Sequence, residues 1–320
     1  MYVTHDKIAS YANEKINVKR DDVKEYRDQV GRLRDRLKEY VDAHPDYGFV
    51  KSLHSGSLAK GTALKTLNDM DVAVYVKKSE APADENRLLS WMEERLREAV
   101  RPLGLKDDQI HPEAHCVKLE YRGSGLNVDV VPVLYEGDAD DVGYLITDTG
   151  DRVKTSVKLH REFIKKRKDA QPDDFTQVVR LAKWWIRQLK LRDDDFRFKS
   201  FMAELICAHL ADGGLDMSDY PETLERFFAY IVMNELKERI AFNDYYALSE
   251  LPQPSFVEME IYDPVNAENN VASRYSSADR ARIVTAATEA LDAITEARFV
   301  EAKGRAVALW RKVFGPSFNG

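Results

Sequence analysis

Gly56-Ser57-Leu58-Ala59-Lys60-Gly61-Thr62 is followed by Asn68-Asp69-Met70-Asp71, which opens the apolar run Val72-Ala73-Val74-Tyr75-Val76. The run reads as a β-strand with two acids at its entrance. Side chains at i and i+2 of a strand point the same way, so Asp69 and Asp71 share a face and Met70 turns to the other. A later segment, Leu126-Asn127-Val128-Asp129-Val130-Val131, alternates apolar and polar residues. It reads as a second strand that packs Leu126, Val128 and Val130 and offers Asp129 on its opposite face.

Two carboxylates held this close repel unless a cation lies between them. Mg²⁺ suits the role because it takes oxygen ligands and commonly uses one or two carboxylates plus substrate phosphates; Mn²⁺ is the natural substitute. Three acids around two metal ions clamp the attacking and leaving oxygens of an in-line displacement. The expected division has Asp69 and Asp71 bridging both ions and Asp129 completing the one that activates the attacking hydroxyl. Upstream, the small residues Gly56 and Ser57 let backbone N–H groups approach a polyphosphate, as in anion-binding nests and helix N-termini. The stretch is not a Walker loop, since the Gly-Lys-Ser/Thr ending is absent. Read singly, a Gly-Ser pair is a turn and each acid is a surface or ion-pair residue. In this order and together, they specify nucleotidyl transfer.

Around these stretches the chain organises readily. The residues from about Asp22 to Ala43 form a long amphipathic helix with Val23, Tyr26, Val30, Leu33, Leu37 and Val41 on one face. A second helix aligns Leu88, Leu89, Met92, Leu96, Val100 and Leu103, and a strand follows around Val117, Leu119 and Tyr121. From about Thr155 to Phe314 the pattern is mainly helical. One such helix carries Val178, Val179, Ala182, Trp185, Ile186 and Leu189, with Arg180, Lys183, Arg187 and Lys190 as a basic face beside that stripe. Another begins near Lys199-Ser200 and is apolar nearly all round, which predicts burial, with Ser200 as its N-cap. Leu251-Pro252-Gln253-Pro254 and Asp263-Pro264 mark an irregular stretch. The tail Gly315-Pro316-Ser317-Phe318-Asn319-Gly320 reads as mobile. Two domains are expected: 1–150, the N-terminal helix plus the catalytic core, and 151–320, a helical lobe completing the nucleotide site.

Composition narrows the function classes. With 44% hydrophobic and 32% charged residues in 320, the chain is globular. No apolar run reaches membrane-spanning length, and the opening residues lack a signal-peptide pattern. Cys116 and Cys207, the only cysteines, give no disulfide framework and no zinc spacing. A cytoplasmic location is the expectation. The net charge of −7 and pI near 5.6 argue against long nucleic acid as template or activator, because Lys and Arg neutralising phosphates dominate such affinity.

The motif resembles the Gly-Ser…Asp-x-Asp…Asp signature of the polymerase-β-type nucleotidyltransferase superfamily. The likeness is broader than the signature. HSGSLAKGTALKTLNDMDVAVYV (54–76), RGSGLNVDVVPVLY (122–135), QVVRLAKWWIRQLK (177–190) and FRFKSFMAELI (196–206) resemble the bacterial cGAS/DncV-like nucleotidyltransferases. IYDPVNAENNVA (261–272) is similar to the Asp-Pro segment near the end of oligoadenylate synthetases.

The resemblance implies an α/β fold: a polymerase-β-like core sheet and a C-terminal helical lobe, with the active site in the cleft between them. It implies a Mg²⁺-dependent enzyme that joins NTPs, ATP foremost, into a cyclic oligonucleotide second messenger of antiphage (CBASS) defence. The subgroup it resembles makes cyclic triadenylate beside a HORMA-domain activator and an AAA+ ATPase regulator. By the same resemblance Gly56 and Ser57 take the triphosphate, Asp69, Asp71 and Asp129 the metals, and Lys183 and Ser200 the donor phosphates. Phe201 stands where relatives carry a base-stacking tyrosine; the ring face is kept and the hydroxyl lost. The motif alone leaves two alternatives open: a transferase that adds nucleotides to an RNA 3′ end or a small molecule, and an inactive nucleotide-binding scaffold.

Overall fold

A computed structural model describes residues 2–44, 48–66, 69–147, 149–254 and 256–320; Asn68, beside the acid pair, lies outside them. The chain divides into two compact units, one of residues 18–162 and one of residues 1–17 with 163–320. The opening segment therefore joins the helical unit instead of the core, and the boundary falls later than residue 150. The cause is apolar: Ile8 and Tyr11 of α1 (His5–Tyr11), with Ala12 and Ile16, are buried in that unit.

In the unit of residues 18–162, α2 (Arg20–Ala43) buries Val23, Val30, Leu33 and Leu37 on one face, as the heptad-like spacing predicts. Next come β1 (Phe49–His54), the short α3 (Gly56–Lys60), β2 (Asp69–Lys77) and α4 (Leu88–Val100). They are followed by β3 (Ile110–Pro112), β4 (Val117–Tyr121), β5 (Leu126–Tyr135), β6 (Gly143–Ile146) and β7 (Arg152–Thr155). The sheet order is β1-β2-β5-β4-β3, with β6 pairing β5 and β7. β2 and β5 run parallel; every other pair in the sheet is antiparallel.

Period-two alternation gives this sheet two different faces. Met70, Val72, Val74 and Val76 of β2, with Leu126, Val128 and Val130 of β5, pack against α2 and α4. Each such side chain contributes on the order of 1.5–3 kcal/mol by leaving water. The opposite face is apolar only at its far end, where Ala73, Tyr75 and Val133 cluster with Val157. Its near end carries Asp69, Asp71, Asn127 and Asp129. One end of one sheet face is thus left polar on a rigid, well-packed support.

α5 (Val157–Ala170) carries the chain into the helical unit, built from α6 (Asp174–Lys190), α7 (Ser200–Asp212) and α8 (Tyr220–Asn234). A small hairpin, β8 (Tyr262–Asp263) and β9 (Asn266–Asn270), precedes α9 (Ser277–Phe299) and α10 (Lys303–Phe314). The irregular stretch ends in this hairpin, whose turn is closed by Val265 N–H donating to Asp263 Oδ1 at 2.8 Å.

Two expectations are corrected here. The basic side chains of α6 do not form one continuous face: α7, α8 and α10 pack around the helix, which is buried almost continuously from Phe175 to Gln188, while Lys190 stays exposed. Lys183 is only 5% exposed, and burial lowers the pKa of the Arg180 guanidinium. The tail is not mobile either. Phe318 is fully buried, its ring 5.0 Å from Tyr11 and 5.4 Å from Phe314, and Arg311 Nε donates to the Phe318 carbonyl at 2.8 Å. A single aromatic side chain anchors an otherwise polar end.

Candidate active site

Asp71 and Asp129 are direct partners across the parallel β2–β5 pair, and Asp69 lies opposite Asn127. The side chains of all four share the polar end of the sheet face. Asn127 Nδ2 donates to Asp69 Oδ1 at 2.9 Å, so the outermost acid is held from the neighbouring strand. Asp69 is exposed, while Asp71 and Asp129 are half-buried.

α3 closes over this pair. Ser55 N–H donates to the Asp71 carbonyl at 2.9 Å, fixing the strand entrance against the loop. Gly56 has φ +64°, and a Cβ there would overlap Asp71 Oδ2 and lie 2.6 Å from Asp71 Cγ. Only glycine allows both that backbone and that approach. Ser57 follows in the first turn, its carbonyl accepting from Thr62 N–H at 2.9 Å, and Gly61 ends the turn in the left-handed region at φ +72°.

Electrostatics concentrate on the two inner acids. Burial raises the Asp71 pKa, with Asp69 adding to the rise and Lys60 opposing it. Burial likewise pushes Asp129 up to about 6, opposed by Lys118 and reinforced by Asp71, Glu113 and Asp69. Asp129 Oδ1 is buried and has no hydrogen-bond partner among the described residues. An all-oxygen donor set, mutual repulsion and an orphaned carboxylate oxygen fit a divalent cation.

Four neighbours were not singled out from the sequence. Asn127 enters the sequence pattern only as part of the alternation, yet its position two before Asp129 places it on the same face. Lys118 is the β4 partner of Asp129 and pairs with Glu113, whose hydrogen bond is the main cause of its raised pKa. Cys116 is buried, and its thiol is pushed up to about 12 by burial first and then by Asp129 and Glu113. The spacing of Glu113, Cys116 and Asp129 carries no metal signature; the β4–β5 register is what joins them.

Within the helical unit, Lys183 Nζ donates to Glu204 Oε2 of α7 at 2.9 Å, a pair buried on both sides. Ser200 is exposed at the first helical position of α7; the N-cap is Lys199, so the capping role read from the sequence is corrected. Lys199 has the extended backbone of a cap, φ −70° and ψ 134°, and its N–H donates to the Tyr275 hydroxyl at 2.9 Å. Phe201 is partly exposed beside the buried run Met202–Ala208.

Residues 1–169 match the model of the Second Messenger Oligonucleotide or Dinucleotide Synthetase domain. The chain belongs to this synthetase family. It is similar to the cyclic AMP-AMP-AMP synthase of Escherichia coli (strain MS 115-1), at 47% identity over 100% of this chain and 99% of that protein. It is also 29% identical to the CBASS oligonucleotide cyclase CdnC of E. coli (strain KTE188), over 100% of this chain and 98% of that one. The solved structure of E. coli MS115-1 CdnC with ATP superposes with a TM-score of 0.92 at 47% identity, covering 100% of both chains. The E. coli MS115-1 CdnC:HORMA-deltaN complex gives 0.91, covering 100% of this chain and 99% of that one. The Vibrio cholerae dinucleotide cyclase DncV in its GTP-bound form, at 13% identity, shares the synthetase fold with a TM-score of 0.71 over 99% and 96% of the two chains. The expected α/β core with a C-terminal helical region is therefore the fold of the family. Among the described residues, no helix is long and apolar enough to cross a membrane.

Proposed function

We propose that the protein joins ATP into cyclic triadenylate as a CBASS second messenger. The observation that carries this is the cross-strand pairing of Asp71 with Asp129 beneath Gly56, in a chain that resembles a cyclic AMP-AMP-AMP synthase along its whole length. In this reading Asp69, Asp71 and Asp129 hold Mg²⁺, with Mn²⁺ as a substitute, and Gly56 and Ser57 receive the triphosphate. Bound metal supplies charge neutralisation at the phosphates and a lowered pKa for the attacking hydroxyl.

The residues of the chain do the rest. Asp129, whose Oδ1 is buried with no hydrogen-bond partner among the described residues, is assigned to the attacking ribose hydroxyl, which loses its proton there as its oxygen bonds to the α-phosphorus of the next ATP and pyrophosphate leaves. Three such attacks, the last on the chain's own 5′ end, release three pyrophosphates and close the ring. Asn127 keeps Asp69 turned to its task. Catalysis is then mostly positioning and electrostatic stabilisation. Lys183 and Ser200 are assigned to the donor phosphates and Phe201 to base stacking. A HORMA-domain protein is the proposed activating partner, on the likeness to a chain solved in such a complex.

The test is the double substitution Asp69→Asn with Asp71→Asn, assayed for ATP consumption and pyrophosphate release. The reading predicts a correctly folded protein that turns over no ATP. Unimpaired turnover would remove the acids from the reaction, and turnover that depends on an added RNA or small-molecule acceptor would favour an acceptor-dependent transferase.

A further inference from the structure

The turn between β3 and β4 brings a buried thiol to the edge of the acid cluster. Glu113 N–H donates to the Cys116 carbonyl at 2.8 Å, closing the turn, and β4 then pairs with β5 so that Lys118 lies opposite Asp129. As a result one ligand atom each of Glu113, Cys116 and Asp129 lies within 4.8 Å of the other two. Cys116 is 8% exposed and is a free thiol. Asp129 Oδ1 is buried with no hydrogen-bond partner among the described residues. A buried thiol thus converges with the Asp129 carboxylate and with a second carboxylate that solvent can reach.

We propose that Glu113, Cys116 and Asp129 form an inhibitory site for a thiophilic divalent cation, of which Zn²⁺ is the type. Zinc takes cysteine sulfur and carboxylate oxygen in tetrahedral sites, and three protein ligands leave its fourth position open. Mg²⁺ is a hard cation that binds oxygen, so the thiol separates the two metals. On binding, the Cys116 Sγ–H bond gives way to an Sγ–metal bond and the proton leaves to solvent. Glu113 must release Lys118, but that pair is half-exposed at the glutamate and worth little. Occupation engages Asp129 and draws it from the reaction. The inhibitory half of the inference rests on Asp129 acting in nucleotidyl transfer; the binding half does not.

The experiment separates the two halves. The full chain is titrated with Cd²⁺, following the thiolate-to-cadmium charge-transfer absorption, and in parallel ATP turnover in Mg²⁺ is titrated with Zn²⁺. Wild type and Cys207→Ser, which alters the other, fully buried cysteine, should each bind one Cd²⁺ with this band. Cys116→Ser should lose it, and Glu113→Gln, an exposed change that leaves the fold alone, should weaken it at least about tenfold, the loss typical even of outer-shell changes. Without zinc both variants should turn over ATP as wild type does, and their half-inhibitory zinc concentrations should rise at least about tenfold. A cadmium band unchanged in Cys116→Ser and Glu113→Gln would overturn the site. Cadmium binding as expected, with zinc inhibition identical in wild type and both variants, would overturn its inhibitory role while leaving the reading of the acids intact.

Discussion

Gly56 and Asp71 occupy each other's space: the glycine backbone passes so close to the carboxylate that no side chain fits between them. The relationship couples the loop expected to take the triphosphate to an acid expected to take the metal. Gly56→Ala should therefore act twice. The left-handed backbone is strained by any Cβ, costing about 1 kcal/mol or more, and the displaced Asp71 should lower turnover roughly 10²-fold, the penalty of about 1 Å of misplacement. Thermal denaturation and steady-state kinetics read the two effects separately. Gly61→Ala, whose Cβ would meet nothing within 4 Å, is the control that keeps the backbone strain and loses the clash.

Asn127 should behave as a positioning residue. Its amide fixes Asp69 from the adjacent strand, and loss of such an orienting partner typically weakens metal affinity about 10–100-fold. Asn127→Ala should raise the Mg²⁺ concentration needed for half-maximal turnover by that factor while leaving the rate at saturating Mg²⁺ nearly intact. An unchanged metal requirement would make the hydrogen bond incidental.

The raised pKa of Asp129 fixes the sign of a pH effect on the metal-free protein. Its folded value of about 6 lies above the ordinary 3.8, so the folded state binds the proton more tightly than the unfolded chain. Stability from this group is full below the unfolded value and is lost as pH rises from about 4 through about 6. Asp129→Asn should flatten that segment of the melting-temperature profile, and divalent cation should do the same to wild type. A profile that rises through this window in wild type and not in the variant would reverse the sign and refute the burial argument.

Lys183 distinguishes a structural from a functional lysine. Breaking one side of its buried pair with Glu204 should cost about 3–5 kcal/mol, whereas replacing both by apolar residues is often neutral. Lys183→Met alone should therefore melt early, and Lys183→Met with Glu204→Leu should regain most of the loss. If Lys183 also serves the donor phosphates, the stable double variant still binds ATP weakly; wild-type ATP affinity in that variant would leave the lysine a purely structural role.

What the sequence made legible is local. Alternation at Met70–Val76 and Leu126–Val130 located two strands and their buried faces, because period two survives in any sheet with one packed side. The order Gly56, Asp71, Asp129 pointed to the chemistry because each residue type is needed there. Pairing was out of reach: that Asp71 faces Asp129, or that Cys116 reaches it, depends on register between strands far apart in the chain. Burial of α6 escaped for the same reason. Lys183 and Arg180 read as part of one basic face until three other helices are placed around α6. Phe318 escaped because one aromatic residue in a polar tail carries no periodicity, although its partners Tyr11 and Phe314 fix it firmly.

The proposed activity is synthesis of a cyclic adenine trinucleotide through the three aspartates. The most direct measurement incubates the purified protein, alone and with a HORMA-domain partner, with Mg²⁺ and ATP, then applies phosphatase and mass spectrometry. The account predicts a phosphatase-resistant product with the mass of cyclic triadenylate, absent from Asp69→Asn with Asp71→Asn and from Asp129→Asn. A resistant product of equal yield in those variants, or nucleotide incorporation only into an added acceptor, would contradict it.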